Sequence, residues 1–310
     1  MFTLIHGVEF MKNAVFALAI GLGLAGAVGL LAFANTLDEN AANARLAQQR
    51  VADYVASMPQ IERKTLEMAK PETGPILAAM VNPGRTPADV KDDKVRKVWQ
   101  VLNFTGIKPG STVFEMEAGT GYYTELISFI VGKSGRVWMQ NPPEFDQFVT
   151  QAVLENRLGK NGRRLPNVQI SKSSFDQLEA PDASVDVVTW FLGPHELWMA
   201  NEAGELTLGD PSKTYAEIYR ILKPGGRFIA LDKSSAPYTM EYESGTSHTI
   251  DPQHVINRAK AAGFELAKTS DILSTHASIS KTGKNYSLNV VDPSKRVSTD
   301  RFLHLYIKPK

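Results

Sequence analysis

The chain has 310 residues, a formal net charge of +1 and 43% hydrophobic content, enough apolar material for one large packed domain or two small ones. Near-neutrality excludes the clustered basic face that a nucleic-acid partner requires. The absence of cysteine excludes disulfides, thiolate metal sites and a cysteine nucleophile.

Residues 14–34 carry no charged side chain, and about 21 residues make a helix roughly 30 Å long, the thickness of a bilayer's hydrocarbon core. Two readings stand. One is a retained, single-pass inner-membrane anchor. The other is a cleaved export signal that leaves the rest periplasmic, because Ala32-Phe33-Ala34 before Asn35 has the small-x-small form of a cleavage site. Lys12 precedes the segment and Asp38 and Glu39 follow it, which orients an anchor with its N-terminus cytoplasmic and the globular part periplasmic. Gly21, Ala25 and Gly29 recur every fourth residue and would form a smooth stripe for a neighbouring helix, as in a membrane-protein complex.

Residues 36–74 read as a helical stalk, with Leu46, Val51, Tyr54 and Val55 at roughly helical spacing. Pro71, Gly74, Pro83, Gly84 and Pro87 then punctuate the chain before a helical stretch over 90–104. The organisation expected is therefore an anchor or signal over 1–35, a stalk over 36–74 and a globular domain over 75–310. Within that domain β-rich runs alternate with helical ones, the pattern of a doubly wound α/β sheet. Strands are expected over 112–116, 136–140, 168–172, 185–191, 227–232, 265–271 and 302–308.

The first strand, Val113-Phe114-Glu115-Met116, runs into Glu117-Ala118-Gly119-Thr120-Gly121 and a helix opening Tyr122-Tyr123-Thr124. Glycines there let the backbone turn tightly and approach a ligand at a helix N-terminus. Residues 215–226 read Tyr-Ala-Glu-Ile-Tyr-Arg-Ile-Leu-Lys-Pro-Gly-Gly, followed by Arg227-Phe228-Ile229-Ala230-Leu231-Asp232. With the block over 181–188 and Ala262-Gly263-Phe264, these segments resemble, in order, the motifs of class I S-adenosylmethionine-dependent methyltransferases. The resemblance covers about 200 residues. It extends to a bacterial group of predicted methyltransferases with N-terminal export signals, to which Ser247-His248-Thr249-Ile250-Asp251-Pro252 and Thr299-Asp300-Arg301-Phe302 are similar. It implies a Rossmann-like, seven-stranded sheet with a reversed last strand and S-adenosylmethionine as cofactor. On it, Glu115, Glu117, Gly119, Gly121, Tyr122, Gln140, Asn141 and Ser174 fall at cofactor-binding positions.

Several positions depart from that pattern. Such sites place a carboxylate at the end of the second strand to accept from both ribose hydroxyls, where this chain has Gln140 and Asn141. The acidic position near the adenine falls at Ser174, with Asp176 two places on, and the first glycine of the loop is Glu117. The Glu117 side chain is read as turned to solvent, since turned inward it would meet the cofactor's carboxylate as a like charge. After the fourth strand come His195 and Glu196, where this fold presents residues to substrate. His195 reads either as a general base toward an acceptor hydroxyl or amine or as a helix cap. His248 lines the same cleft from the loop after the fifth strand. With two such histidines, scattered carboxylates and no HExxH-like spacing, no metal site is expected.

Two functions follow. One is methyl transfer from S-adenosylmethionine to an unidentified acceptor, catalysed mostly by positioning. The other is an anchored accessory or scaffold subunit of a respiratory, photosynthetic or similar membrane complex that retains the fold. In that case Trp190, Trp198, Tyr238 and Tyr242 would serve as interface anchors; their first reading is as core aromatics.

Overall fold

The computed structural model describes residues 74–274 and 300–310, with Ala42, Arg45, Gln49 and Ala56 as isolated helical positions before them. The segment expected to be an anchor or signal, residues 14–34, lies outside the described residues. Among the described residues no helix is long and apolar enough to cross a membrane. Residues 80–90 group with the N-terminal portion, and residues 69–79 and 91–310 form the unit that contains the sheet.

Seven strands form one sheet: β1 (Thr112–Met116), β2 (Arg136–Gln140), β3 (Val168–Ser171), β4 (Val185–Phe191), β5 (Leu222–Lys233), β6 (Glu265–Ser270) and β7 (Arg301–Ile307). Their order is β3-β2-β1-β4-β5-β7-β6. The first five pair in parallel, while β7 runs antiparallel to both β5 and β6. The ends agree with the sequence to within a residue, except that β5 begins at Leu222. There Val185 pairs with Leu222 but Val187 with Arg227, so the Lys-Pro-Gly-Gly segment bulges out between two paired positions.

The centre of the sheet follows from composition. Strand β1 is covered on both faces, so Val113, Phe114 and Met116 are all buried in a near-continuous apolar run. Fully buried aromatics continue the core across β4, β5 and β7: Trp190 packs between Phe175 at 5.1 Å and Tyr215 at 6.3 Å, and Phe228 stacks on Tyr306 at 5.4 Å. The edge strand β6, Glu-Leu-Ala-Lys-Thr-Ser, is mostly exposed, as charge on an edge strand requires.

Two further details are tertiary in origin. The helix expected over 90–104 breaks at Lys97, whose left-handed φ of 46° separates Pro87–Arg96 from Val98–Thr105. Lys97 Nζ donates to the Ile272 carbonyl at 2.5 Å, and the second helix buries Val98, Trp99, Val101 and Leu102. Asp186, within β4, accepts from the Thr112 amide at 2.8 Å and pairs with Lys223 at 2.6 Å, tying the starts of three strands together. The carboxyl ends of β1 and β4 therefore lie side by side where the strand order reverses, the crevice in which such sheets place ligands.

Candidate functional site

The glycine loop leaves β1 through a run of left-handed residues: Glu117 at φ 51°, Gly119 at 55° and Gly121 at 82°. Gly119 borders open space, since a Cβ built there meets no atom within 4 Å, whereas one on Gly121 would stand 2.9 Å from Arg157 Cγ and 3.0 Å from Met139 Cε. Gly121 thus lets the helix Tyr122–Val131 pack closely, and Gly119 is the position beside which a ligand has room.

Four of the loop's own amides, those of Glu117, Ala118, Gly119 and Gly121, are engaged within the protein. Gln140 Oε1 accepts from the Glu117 amide at 2.9 Å, and the Gln140 carbonyl accepts from Ala118 at 2.9 Å. Asn141 clasps the Gly119 peptide from both sides: Oδ1 accepts its N–H at 2.7 Å and Nδ2 donates to its carbonyl at 3.1 Å. Gln140 Nε2 donates to the Ser173 carbonyl at 2.7 Å, so both side-chain amides are satisfied within the protein.

Other residues expected at the cofactor are committed elsewhere. Glu115 is buried and accepts from Thr124 Oγ1 at 2.6 Å; burial pushes its carboxyl up to about 8. The Tyr122 hydroxyl donates to Asp93 at 2.5 Å, with the Arg96 guanidinium 4.2 Å over its ring. Ser174 Oγ donates to Asp176 at 2.8 Å. Glu117 does not turn to solvent. Its Oε2 accepts from Trp190 Nε1 at 2.9 Å, and a Cβ on Gly193 would stand 2.1 Å from both atoms. Burial, then repulsion from Glu196, holds the Glu117 carboxyl well above the ordinary range despite the Trp190 bond. The absence of a side chain on Gly193 is what lets it point inward.

Across the crevice the structure brings His195, Glu196 and His248 together and adds Asp232, which ends an apolar stretch of β5. His195 Nδ1 lies 2.9 Å from both Asp232 oxygens, and the His195 amide donates to Asp232 Oδ2 at 2.9 Å. Its Nε2 is 3.2 Å from Glu196 Oε1, and His248 Nδ1 is 3.7 Å from the same oxygen. Burial opposes a charge on His195, but Asp232 and Glu196 outweigh it and push the imidazole up to about 10. Leu192 and His248, at φ 62° and 51°, join Glu117 as non-glycine residues in the left-handed region around one crevice, the sort of strain that collects at functional sites. Asp232 was legible only as an acid in an apolar strand, a residue that needs a buried partner.

The sheet order, the glycine bend and the crevice between β1 and β4 form a Rossmann-like α/β fold with an antiparallel β7. Residues 118–230 match the methyltransferase domain model named Methyltransf_11, and this match supports S-adenosylmethionine as the cofactor. The chain is 30% identical over 152 residues to the ubiquinone/menaquinone biosynthesis C-methyltransferase UbiE of Psychromonas ingrahamii, covering 48% of this chain and 54% of that protein. Against UbiE of Escherichia coli strain K12 / DH10B it is 25% identical over 192 residues, 59% of this chain and 70% of that one. The chain spans about half the length of the first of these curated relatives. Among solved structures the SpnF cyclase superposes with a TM-score of 0.51 at 17% identity, covering 73% of this chain and 85% of that one.

S-adenosylmethionine would fit the site at one end, where its amino-acid portion would lie in the open space beside Gly119. At the position the resemblance gives to the ribose stand neutral Gln140 and Asn141, both already bonded, in place of a charged acceptor.

Proposed function

We propose that the chain binds S-adenosylmethionine beside Gly119 and transfers its methyl group to a small acceptor held over the crevice between the glycine loop and His195. The observation that carries this reading is the open space at Gly119 at the reversal point of the sheet, faced by the polar group of buried His195 and Asp232 with half-buried Glu196. The cofactor supplies an electrophilic methyl on a sulfonium. The chain's own residues orient the acceptor and exclude water, which is where the rate advantage of such a transfer arises. His195 and Glu196 present polar atoms toward that acceptor, with His195 held in register by Asp232. Affinity for the nucleoside end is low, because a neutral amide accepts from a pair of hydroxyls less strongly than a carboxylate.

Calorimetry on the full chain with S-adenosylmethionine and its demethylated product tests this. Heat of binding that is lost in Gly119→Leu, which fills the open space, is the expected result. No heat and no thermal shift at millimolar ligand would remove the enzyme.

A second reading is favoured by one observation, the closure of the glycine loop on itself by Asn141. A domain whose bend is clasped in this way suits an accessory subunit anchored through residues 14–34. Tyr238, Met240 and Tyr242, exposed at 93%, 55% and 67%, then supply an apolar contact surface for its partner.

A further inference from the structure

We propose that His195, Glu196 and His248 bind one divalent first-row transition ion of the zinc type, in a site distinct from the methyl-donor position beside Gly119. The three residues each offer a ligand atom, and these atoms all lie within 4.8 Å of one another. In a tetrahedral site with bonds of about 2.1 Å, ligand atoms stand about 3.4 Å apart. Here His195 Nε2 and Glu196 Oε1 are 3.2 Å apart, and Glu196 Oε1 and His248 Nδ1 are 3.7 Å apart. Two of the three edges are thus close to their coordinated length, and a modest rotation of His248 closes the third.

The surroundings of His195 point the same way. Asp232 accepts from Nδ1, which fixes the ring so that Nε2 faces Glu196 and His248, and a bound ion takes the place of the Nε2 proton. A carboxylate behind an imidazole is how proteins orient a metal-binding histidine and raise its basicity. The backbone holds the arrangement together: Leu192 N donates to Leu231 O at 2.6 Å, Ile250 N to Lys233 O at 2.9 Å and Ser235 N to Ile250 O at 3.0 Å. The loops bearing His195 and His248 are therefore both stitched to the end of β5, which supplies Asp232, and the ligand atoms start near their working separation.

Exposure rises outward across the set, from 3% for the His195 side chain through 18% for Glu196 to 43% for His248. An ion would have its buried side capped by His195 and its remaining positions open to the crevice, the disposition of a site that keeps room for a water or an exogenous oxygen ligand. Two imidazoles with one carboxylate select a borderline ion over magnesium or calcium, which take all-oxygen sets. The ion would sit on the acceptor side of the crevice, and its test reads the metal alone, independently of methyl transfer.

The full chain, stripped with a chelator and dialysed, is titrated with Co2+ followed by optical absorption and with Zn2+ followed by calorimetry. One equivalent bound is expected, with visible ligand-field bands in the cobalt form. His248→Ala, at a half-exposed position that folding does not require, abolishes the bands. Asp232→Asn weakens Zn2+ by about 10- to 100-fold, as removal of a group behind a ligand does. His254→Ala, whose ring is bonded to the Thr239 carbonyl outside the set, leaves both readings unchanged. Absence of stoichiometric binding, or binding that survives His248→Ala, overturns the proposal and leaves the three residues as an ion-pair cluster.

Discussion

Glu115 shows how a residue inside a recognisable motif takes a role that its position does not announce. Its carboxyl lies under the helix Tyr122–Val131, bonded to Thr124 and fully buried. Burial raises it from 4.5 to about 8. Between those values the folded chain keeps a proton that the unfolded chain has released, so this group's contribution is fully present below pH 4.5 and is lost as pH rises through 8. Glu115→Gln, which does not titrate, is therefore expected to be more stable than the parent by a margin that grows from pH 5 to pH 8. That margin reaches at least about 2 kcal/mol, since each tenfold change in proton affinity between the folded and unfolded chain is worth about 1.4 kcal/mol. Urea midpoints at the two pH values measure it, and a constant difference would show that Glu115 is not protonated in the fold. Gln140 and Asn141 make the complementary point. Their identity as neutral residues was plain from the chain, but their rotation onto the loop was not, because a side-chain amide chooses partners from whatever unsatisfied groups packing brings near.

At the scale of elements, the helix Tyr122–Val131 is bound to the helix Gln151–Leu158 and the turn after it by one acid. Glu125 is buried within the first and receives Arg157 and Arg164 on its two oxygens. Arg157 also donates Nε to the Thr120 carbonyl at 2.9 Å, so the same guanidinium braces the glycine loop. Glu125→Gln removes the charge between two cations, one of which is only 11% exposed, and is expected to cost about 3 kcal/mol. The loss is read by thermal unfolding together with faster hydrogen exchange at the loop amides. A variant as stable as the parent would show that the bridge is idle. A similar tie lies in the 215–226 block: Arg220 bonds Glu217 and Asp182 and donates to the carbonyls of Leu178 and Ala180, fixing the approach to β4. Such ties were not foreseeable residue by residue, though the strands they join were, because alternation and turn residues are local signals.

At the scale of the whole molecule, the side of a membrane on which the domain sits decides its access to cofactor. An anchor over residues 14–34, oriented by its flanking charges as proposed, would put the domain outside the cytoplasm, where S-adenosylmethionine is not expected to be abundant, and that outcome would favour the scaffold reading. Fusion of alkaline phosphatase after Lys310 is expected to be active in cells, and a matching cytoplasmic reporter silent. The reverse pattern would put the domain on the cofactor's side and favour the enzyme. Of the aromatics considered as interface anchors, Trp190 belongs to the core, while Tyr238 and Tyr242 stand in solvent. Composition cannot separate the two cases, since both are large aromatics near strand ends.

By itself the amino-acid order determined the strands, their alternation with helices and the glycine bend, because hydrophobic period and turn chemistry act over a few neighbouring residues. Only the tertiary structure decided that His195, Glu196, Asp232 and His248 converge, that Glu117 points inward beneath Trp190, and that Asn141 closes the bend. Those outcomes depend on contacts between residues remote in the chain, whose direction is set by how strands pair and where burial leaves a polar atom in need of a partner.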